Sequence, residues 1–251
     1  IITDQKNKNF KVPSIKVGDS REALSIISSN LYNNPSKNIN AIGVTGTNGK
    51  TTIACLVKTL LKEGFNKECA TIGTLGFSVE NNIIKTGLTT PESLDLQKML
   101  KFLVDNKVEN VVLETSSHAL KQKRVNNVDF NVGVFTNLTQ DHLDYHKTMN
   151  EYFNAKFILF SQLDTKSSSV INIDDNYGYK IYRKLFNNKI SYGFNLEADI
   201  SISDASLSLY GAKVEVDIFN KKYKIATNLV GKYNILNLAA SIGTLIALKY
   251  D

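Results

Sequence analysis

The chain has 251 residues, enough for one large domain or two small ones. Its apolar content of 42% favours a globular protein, and its net charge of +6 suits anionic ligands. The lysines are scattered without an aromatic–basic stripe, so we expect phosphorylated small molecules as partners and no nucleic acid. No apolar run reaches the roughly 18 residues of a membrane span, and no signal-peptide pattern is present. We therefore expect a cytoplasmic protein without a membrane partner.

Residues 1–38 contain one helical pattern, through Leu24, Ile27 and Leu31, which Asn33-Asn34-Pro35-Ser36 breaks. One helix cannot build a core of its own. We interpret this segment as the tail of a preceding domain or as an arm packed on the next one. Cys55 and Cys69, which lack the spacing of metal ligands, are predicted to be reduced thiols in the core.

The central feature of the sequence is a glycine-rich stretch, Gly43–Thr52, between an apolar strand pattern and an amphipathic helix pattern. Glycines allow the backbone to wrap a phosphate chain, and the N-terminus of the helix adds positive potential. In such a loop Lys50 would contact the terminal phosphates and the Thr51 hydroxyl would bind magnesium. The strict phosphate-loop pattern has glycine where this chain has Val44, and a simple glycine-rich turn is the alternative.

From Ile39 to about Asn195, strand and helix patterns alternate, which predicts an α/β fold with a mainly parallel sheet covered by helices. The predicted strands are Cys69–Thr74, Val108–Leu113, Val132–Phe135, Ser169–Ile173 and Lys189–Tyr192, and the predicted helices begin at Pro91, Met149 and Asp175. Four short runs follow: Asp199–Ser203, Ser206–Tyr210, Lys213–Ile218 and Lys222–Thr227. With turns at Gly211-Ala212 and Asn220-Lys221, they predict a small antiparallel sheet. A final helix is predicted from Tyr233 to Tyr250.

Polar residues follow several of the predicted strands, at the edge of an α/β sheet where ligands bind. Glu114 follows one strand and is a candidate magnesium anchor or part of a helix cap. Asn137–His146 follows another and combines an asparagine, two aspartates and two histidines, which indicates metal or phosphate contacts or a solvated loop. Thr89–Glu92 precedes a predicted helix and by itself indicates only a helix cap.

Six motifs in this order resemble the Mur ligases, the ATP-dependent amino-acid-adding enzymes of peptidoglycan synthesis. They are TGTNGKTT (45–52), TTPESLDLQ (89–97), ETSSHALKQKRV (114–125), FTNLTQDHLDYH (135–146), FNAKFILF (153–160) and GKYNILNLAAS (231–241). The combination of TTPE, SSHAL and DHLDYH resembles the MurE branch. The family's loop is similar to GTNGK[ST], which accounts for Val44.

The resemblance implies a set of site residues. The catalytic residues would be Lys50, Glu114, His142 and Lys156, with two magnesium ions held by Thr51, Glu114, His142 and Lys156. ATP would contact Gly46, Thr47, Asn48, Gly49, Lys50, Thr51, Thr52 and Asn137, with Asn234 and Asn237 at the adenine. The UDP-sugar-dipeptide would contact Thr89, Thr90, Ser116, Gln122 and Arg124. Lys156 matches a lysine that the family converts to a carbamate, although an ordinary surface lysine is the alternative.

The implied activity is amide ligation. ATP phosphorylates the terminal carboxylate of UDP-N-acetylmuramoyl-L-alanyl-D-glutamate, and the amine of meso-diaminopimelate or L-lysine displaces the phosphate. We expect a monomer in which residues 1–38 are the remnant of a UDP-binding domain and 39–251 the central ATP-binding domain. The C-terminal amino-acid-binding domain of the family is expected to be absent from this chain. The alternatives are another Mur ligase, a ligase similar to folylpolyglutamate synthase, or a nucleotide-binding module that is inactive alone.

Overall fold

The computed structural model describes residues 1–5 and 11–250, which form thirteen strands and eight α-helices. The strands are β1 (Ile2–Thr3), β2 (Ile15–Lys16), β3 (Asn40–Thr45), β4 (Cys69–Gly73), β5 (Gly76–Val79), β6 (Asn82–Ile84), β7 (Asn110–Glu114), β8 (Phe130–Phe135), β9 (Ser168–Asn172), β10 (Asn188–Gly193), β11 (Ile200–Ser208), β12 (Gly211–Ile218) and β13 (Lys221–Thr227). The helices are α1 (Ser20–Leu31), α2 (Lys50–Phe65), α3 (Ser93–Asp105), α4 (Ser117–Lys121), α5 (Leu143–His146), α6 (Met149–Ser161), α7 (Asn176–Lys184) and α8 (Lys232–Ala247).

Eleven strands form one sheet in the order β13-β12-β11-β10-β9-β8-β3-β7-β4-β5-β6. The seven strands from β11 to β4 are parallel to one another. Antiparallel pairs extend the sheet at both edges. This arrangement confirms the predicted mostly parallel α/β fold. The predicted small antiparallel sheet is present as an extension of the main sheet, because β11 pairs with β10.

The central strand, β3, is buried on both faces of the sheet. Ile42 and Val44 belong to one hydrophobic cluster, which includes residues of α2 and α8. Ile39 and Ala41, which alternate with them, belong to a second cluster that includes residues of α3 and α6. Such two-sided burial is typical of parallel strands and explains the nearly continuous apolar run. It also gives the loop that follows β3 a rigid base.

The C-terminal strands differ in detail from the prediction. The two runs predicted as separate strands form the single strand β11, with an irregularity between Ile202 and Asp204. A bulge of this kind admits one extra residue without ending the strand, and it interrupts the alternation on which the prediction depended. Gly211 begins β12 instead of forming a turn, and the connection before it lies at residues 209–210. The next turn lies at Phe219 and Asn220, one residue earlier than predicted.

Several other elements were missed or misjudged. The hairpin of β5 and β6 was not predicted because β6 is only three residues long and all three residues are exposed, so the strand has no apolar alternation. Helix α1 forms as predicted, but its apolar residues Leu24, Ile27 and Leu31 are exposed while three serines of the same helix are buried. The prediction of two core thiols is wrong for Cys55, which is exposed, and is confirmed for Cys69. Within residues 1–5 and 11–250, every helix is too short or too polar to cross a bilayer.

Candidate functional site

The candidate site lies beyond the carboxyl ends of β3, β7 and β8, the three central strands of the sheet. Backbone hydrogen bonds extend their pairing into the loops, from Thr115 N–H to the Val44 carbonyl at 2.8 Å and from Thr136 N–H to the Thr45 carbonyl at 3.0 Å. Three of the predicted polar groups therefore begin at one edge of the sheet. This edge is where open α/β sheets bind ligands.

The glycine-rich loop connects β3 to α2 through two glycines with positive φ. A Cβ atom on Gly46 (φ 150°) would lie 1.8 Å from Thr136 Oγ1, and one on Gly49 (φ 92°) would lie 2.5 Å from Asn237 Oδ1. The loop is held by Asn137, which accepts hydrogen bonds from Thr47 N–H at 2.9 Å and from Asn48 N–H at 3.0 Å. The first-turn amides of α2 have no intrahelical acceptors and are available to an anion.

Two lysines share one acceptor inside this loop. Lys50 Nζ donates to the carbonyl of Gly46 at 2.9 Å, and Lys156 Nζ, from α6, donates to the same oxygen at 2.8 Å. Lys156 is only 1% exposed, and its ammonium lies over the Tyr152 ring at 4.5 Å. Burial, and then the charge of Lys50, lower the pKa of Lys156 well below its ordinary value. The alternative of an ordinary surface lysine is wrong, because Lys156 is buried at the loop.

Glu114, at the end of β7, is 2% exposed and faces the start of α2. Thr51 Oγ1 lies 2.9 Å from both of its carboxylate oxygens. Thr74 donates to Glu114 from its N–H at 2.9 Å and from its hydroxyl at 3.0 Å. Gly73 makes room for this arrangement, since a Cβ there would lie 2.1 Å from Glu114 Oε1. Among the described ion pairs none involves Glu114, whose hydrogen-bond donors are neutral, although the cation of Lys50 is near enough to interact with it electrostatically.

The three histidines of the chain form a cluster with two tyrosines. The His118 ring lies 5.0 Å from the ring of His142 and 5.5 Å from that of His146, between centroids. His146 is buried, with Nε2 2.8 Å from Ser117 Oγ, and it stacks on Tyr152 at 5.0 Å. Burial, with His118 next in importance, lowers the pKa of His146 to about 4. His146 is therefore an uncharged packing group at neutral pH, whereas the His142 ring is exposed at the edge of the cluster.

Most of the predicted substrate residues also lie together. Thr90 Oγ1 donates to the Glu114 carbonyl at 2.7 Å and lies 3.2 Å from Ser116 Oγ. Arg124 donates from Nη1 to the Thr90 carbonyl at 2.9 Å and from Nη2 to Gln122 Oε1 at 2.6 Å. Thr89 lies at the rim of this group, with its hydroxyl 3.3 Å from that of Thr74. A guanidinium fixed in this way presents hydrogen-bond donors to a carboxylate or phosphate.

The first turn of α8 brings a further amide pair to the loop. Asn237 Nδ2 donates to Asn234 Oδ1 at 3.2 Å, and Asn237 borders Gly49. A cavity of about 40 Å³ lies between them and Asn137, and its lining includes Tyr192 and Tyr233. Asn237 thus lies against the glycine-rich loop, and Asn234 is hydrogen-bonded to Asn237.

The predicted metal ligands are not assembled into one cluster. In the described part of the chain, no group of three or more His, Cys, Asp or Glu side chains is placed to hold a metal. Glu114 contacts Thr51, whereas His142 contacts the histidine cluster and Lys156 the loop carbonyl. A magnesium ion here would therefore take many of its ligands from phosphate oxygens and water, as magnesium in phosphoryl-transfer sites commonly does.

Sequence reasoning missed several supporting residues. They are Thr74, Glu92, Thr136 and Tyr152. Two of them carried a usable signal. Thr74 follows a buried strand, and Tyr152 precedes Lys156 by four residues, which places both on one face of α6.

Comparisons of family, sequence and structure all match this chain to Mur ligases. A family model described as "Mur ligase middle domain" matches residues 44–245. The UDP-N-acetylmuramoyl-L-alanyl-D-glutamate--2,6-diaminopimelate ligase of Clostridium botulinum is 48% identical over 229 residues, which are 91% of this chain and 47% of that protein. A solved structure with the same enzyme name superposes with a TM-score of 0.88 at 30% identity, over 100% of this chain and 52% of that one.

A more distant structure shares the fold alone. A MurF ligase from Thermotoga maritima in complex with ADP superposes with a TM-score of 0.69 at 19% identity, over 100% of this chain and 54% of that chain. The chain spans about half the length of the curated relatives it matches.

Proposed function

The chain belongs to the Mur ligase family, and from this premise we propose that it is the ATP-binding part of a MurE-type amide ligase. The reaction would join meso-diaminopimelate to UDP-N-acetylmuramoyl-L-alanyl-D-glutamate. The names of the relatives support this choice of amino acid over L-lysine. The observation that carries the proposal is that the phosphate loop, the buried Glu114 and the Arg124 guanidinium all lie at one edge of the sheet.

In the proposed reaction, an oxygen of the terminal D-glutamyl carboxylate attacks the γ-phosphorus of ATP, and the bond from that phosphorus to ADP breaks. The amine of the diamino acid then attacks the acyl carbon, loses a proton, and expels inorganic phosphate. The transferred phosphoryl group carries its charge on peripheral oxygens, so catalysis depends on positioning and charge stabilisation. Lys50 and the first-turn amides of α2 are the groups of this chain that would stabilise those oxygens.

The residues present fit a magnesium ion bound with ATP. Glu114 is a buried carboxylate that forms no direct ion pair among the described residues, with Lys50 as a more distant cation, and a buried carboxylate of this kind favours a cation bound beside it. Thr51 and Glu114 would hold one ion, and His142 and a modified Lys156 would hold a second. The ions would neutralise developing negative charge on the phosphates. Thr74 and Gly73 orient Glu114, since both contact or border its carboxylate.

Lys156 fits the carbamate that the family resemblance implies. A lysine must be neutral to attack carbon dioxide, and burial together with Lys50 lowers the pKa of Lys156 in that direction. The amine nitrogen would bond to the carbon of carbon dioxide and lose a proton, which converts a potential cation into an anion. A 13C carbamate resonance in bicarbonate-labelled protein, absent from K156A and retained in a variant of the exposed Lys166, would support the modification. No such signal in the wild type would refute it.

The substrate end would be formed by Thr89, Thr90, Ser116, Gln122 and Arg124. Thr90 and Ser116 are tied to each other, and Thr90 also accepts from Ser116 N–H at 3.1 Å. Arg124 is the cationic member of this group and would bind a carboxylate or phosphate of the nucleotide-sugar-dipeptide. Asn234 and Asn237 would contact the adenine, beside the small cavity next to Gly49.

The proposal is tested first by nucleotide binding. Calorimetry should detect Mg-ATP binding, and K50A should lose about 2–4 kcal/mol of binding or of transition-state stabilisation, because a charge-assisted contact to phosphate is removed. K62A is the matched control, since Lys62 lies near the end of the same helix, remote from the loop. Equal ATP affinity in wild type and K50A would contradict the assignment.

The second test is turnover by the protein that contains this chain. Phosphate release should require both UDP-N-acetylmuramoyl-L-alanyl-D-glutamate and diaminopimelate, and K156A should lose it. A short carboxylic acid should restore part of the activity of K156A. Release with a folate and glutamate instead would favour the folylpolyglutamate synthase alternative, and ATP binding without any release would favour a nucleotide-binding module. We include in the proposal that the protein acts as a cytoplasmic monomer, which gel filtration and cell fractionation would check.

A further inference from the structure

The Arg124 guanidinium is held on three sides. Besides the bonds to the Thr90 carbonyl and to Gln122, its Nε lies 3.1 Å from Glu92 Oε1, and the side chain is 11% exposed. The Glu92 contact is an ion pair and not an aligned hydrogen bond, since Arg124 Nε has no hydrogen-bond partner among the described residues. Of the five N–H groups in the rigid guanidinium plane, one on each terminal nitrogen is left over after the bonds to Thr90 and Gln122. The protein therefore determines the plane and direction in which Arg124 offers its remaining donors.

Glu92 is an unexpected residue at its position. Its backbone is the N-cap of α3, where its carbonyl accepts from Leu96 N–H at 2.9 Å, but its side chain makes no capping hydrogen bond. Ser, Thr, Asp and Asn are preferred at such positions because their short side chains reach the helix amides. The Glu92 carboxylate instead faces Arg124 with Oε1 and Arg21 of α1 with Oε2. It bridges two guanidinium groups from different parts of the chain.

The turn that carries Arg124 is also attached to the N-terminal end of α1, the helix that contains Arg21. Lys123, with φ 58°, forms ion pairs with Asp19 at 2.8 Å and with Glu22 at 2.7 Å. The two adjacent cations, at 123 and 124, are thus both held by carboxylates, but only the Glu92 contact reaches the Arg124 guanidinium. This difference separates a direct orienting contact from attachment of the turn as a whole.

We propose that Glu92 is a positioning residue that orients Arg124 for the anionic end of the substrate, with Arg21 fixing the Glu92 carboxylate in turn. The inference rests on the proposed function, in which Arg124 contacts the nucleotide-sugar-dipeptide. One carboxylate between two guanidinium groups leaves a net positive charge. Glu92 therefore holds Arg124 in place without cancelling its attraction for an anion.

The test is a binding measurement on E92Q, whose amide keeps the size of the side chain and removes its charge. In the protein that contains this chain, calorimetry with UDP-N-acetylmuramoyl-L-alanyl-D-glutamate should show a loss of about fivefold in affinity, the upper end of the range for an ion pair. The affinity for Mg-ATP should not change. In an R124Q background, E92Q should add less than about twofold, because residues that act through one contact are not additive.

Two further variants, E22Q and R21Q, test whether Glu92 affects substrate binding through Arg124. E22Q removes a carboxylate that pairs with Lys123 and does not touch Arg124, so its affinity should match the wild type. R21Q leaves the α3 cap intact and should weaken binding by about two- to fivefold, the range of an exposed ion pair. If E92Q does not fold, R21Q decides the question.

The possible outcomes are distinct. Wild-type affinity in E92Q, or an equal loss in the wild-type and R124Q backgrounds, would overturn the positioning role while leaving the proposed function intact. If E92Q fails to fold, wild-type affinity in R21Q has the same meaning. A wild-type protein that does not bind the nucleotide would refute the proposed function, and this inference with it.

Discussion

Gly46 is the position of the loop where an added side chain should reduce stability most. A Cβ there would lie 1.8 Å from Thr136 Oγ1 and 3.1 Å from the backbone nitrogen of Asn137. The φ of 150° adds backbone strain for any residue with a side chain. Strain of this kind costs about 1–3 kcal/mol, and overpacking a tight site costs about 1–3 kcal/mol more. We therefore expect G46A to lower the free energy of unfolding by about 2–6 kcal/mol.

The assay for G46A is urea unfolding, combined with calorimetry of Mg-ATP binding. The matched control is G64A, the same substitution at a position of α2 where an added Cβ meets nothing within 4 Å. Replacing an unconstrained glycine within a helix should raise stability by about 0.5–1 kcal/mol. The two substitutions should therefore change stability in opposite directions.

A double-mutant cycle with T136A isolates the steric part of the Gly46 effect. Thr136 Oγ1 is the nearest obstacle and donates to the Asn48 carbonyl at 2.6 Å, so T136A alone should cost about 1 kcal/mol. In that background G46A should cost less than in the wild type by about 1–3 kcal/mol. If G46A leaves both stability and ATP affinity unchanged, the close packing of the loop against Thr136 is refuted.

Three further predictions follow from the same region. G73A should weaken Mg-ATP binding by about 10- to 100-fold, the range for residues that orient metal ligands, because its Cβ would displace the Glu114 carboxylate; equal calorimetric affinity would contradict this. A thiol reagent should label the exposed Cys55 in the native protein and label Cys69 only after unfolding, since burial raises the pKa of Cys69 to about 12. In bicarbonate-free buffer, where Lys156 is an unmodified amine, the stability of the wild type relative to K156M should rise as pH increases from 7 towards 10, because the lowered pKa of Lys156 means that the unfolded chain binds more protons in that range; a stability difference that does not change with pH in urea unfolding would refute it.

The sequence predicted the parallel sheet because its strands carry strong local signals. Strand β3 is a nearly continuous apolar run followed by a glycine-rich turn, and such runs are typical of strands buried on both faces. The hairpin of β5 and β6 has no comparable signal, since its outer strand is short and exposed. The bulge in β11 was missed for a similar reason, because one extra residue shifts the alternation and imitates a strand end.

The site was predictable in its residue types but not in its contacts. Lys50, Thr51 and Glu114 follow strands, so the general rule for α/β sheets brings them together, and the structure does so. The bridge runs from Arg21 through Glu92 to Arg124. Its first ion pair, between Arg21 and Glu92, joins residues that are 71 positions apart in the sequence. Spacing in a single sequence carries no information about such a pair. The burial of Lys156 likewise depends on how α6 packs against the loop, which its own residues do not specify.

The two lysines at the loop explain why this arrangement suits a phosphorylated ligand. The Gly46 carbonyl accepts from both Lys50 and Lys156, so the loop brings two amine groups to a single neutral oxygen. Burial lowers the pKa of each lysine, and the charge of Lys50 lowers that of Lys156 further. Phosphate oxygens beside the loop would give Lys50 an anionic partner in place of the carbonyl, and electrostatic attraction of this kind is strong where water is excluded. A phosphorylated ligand would therefore favour the charged form of Lys50 at the loop.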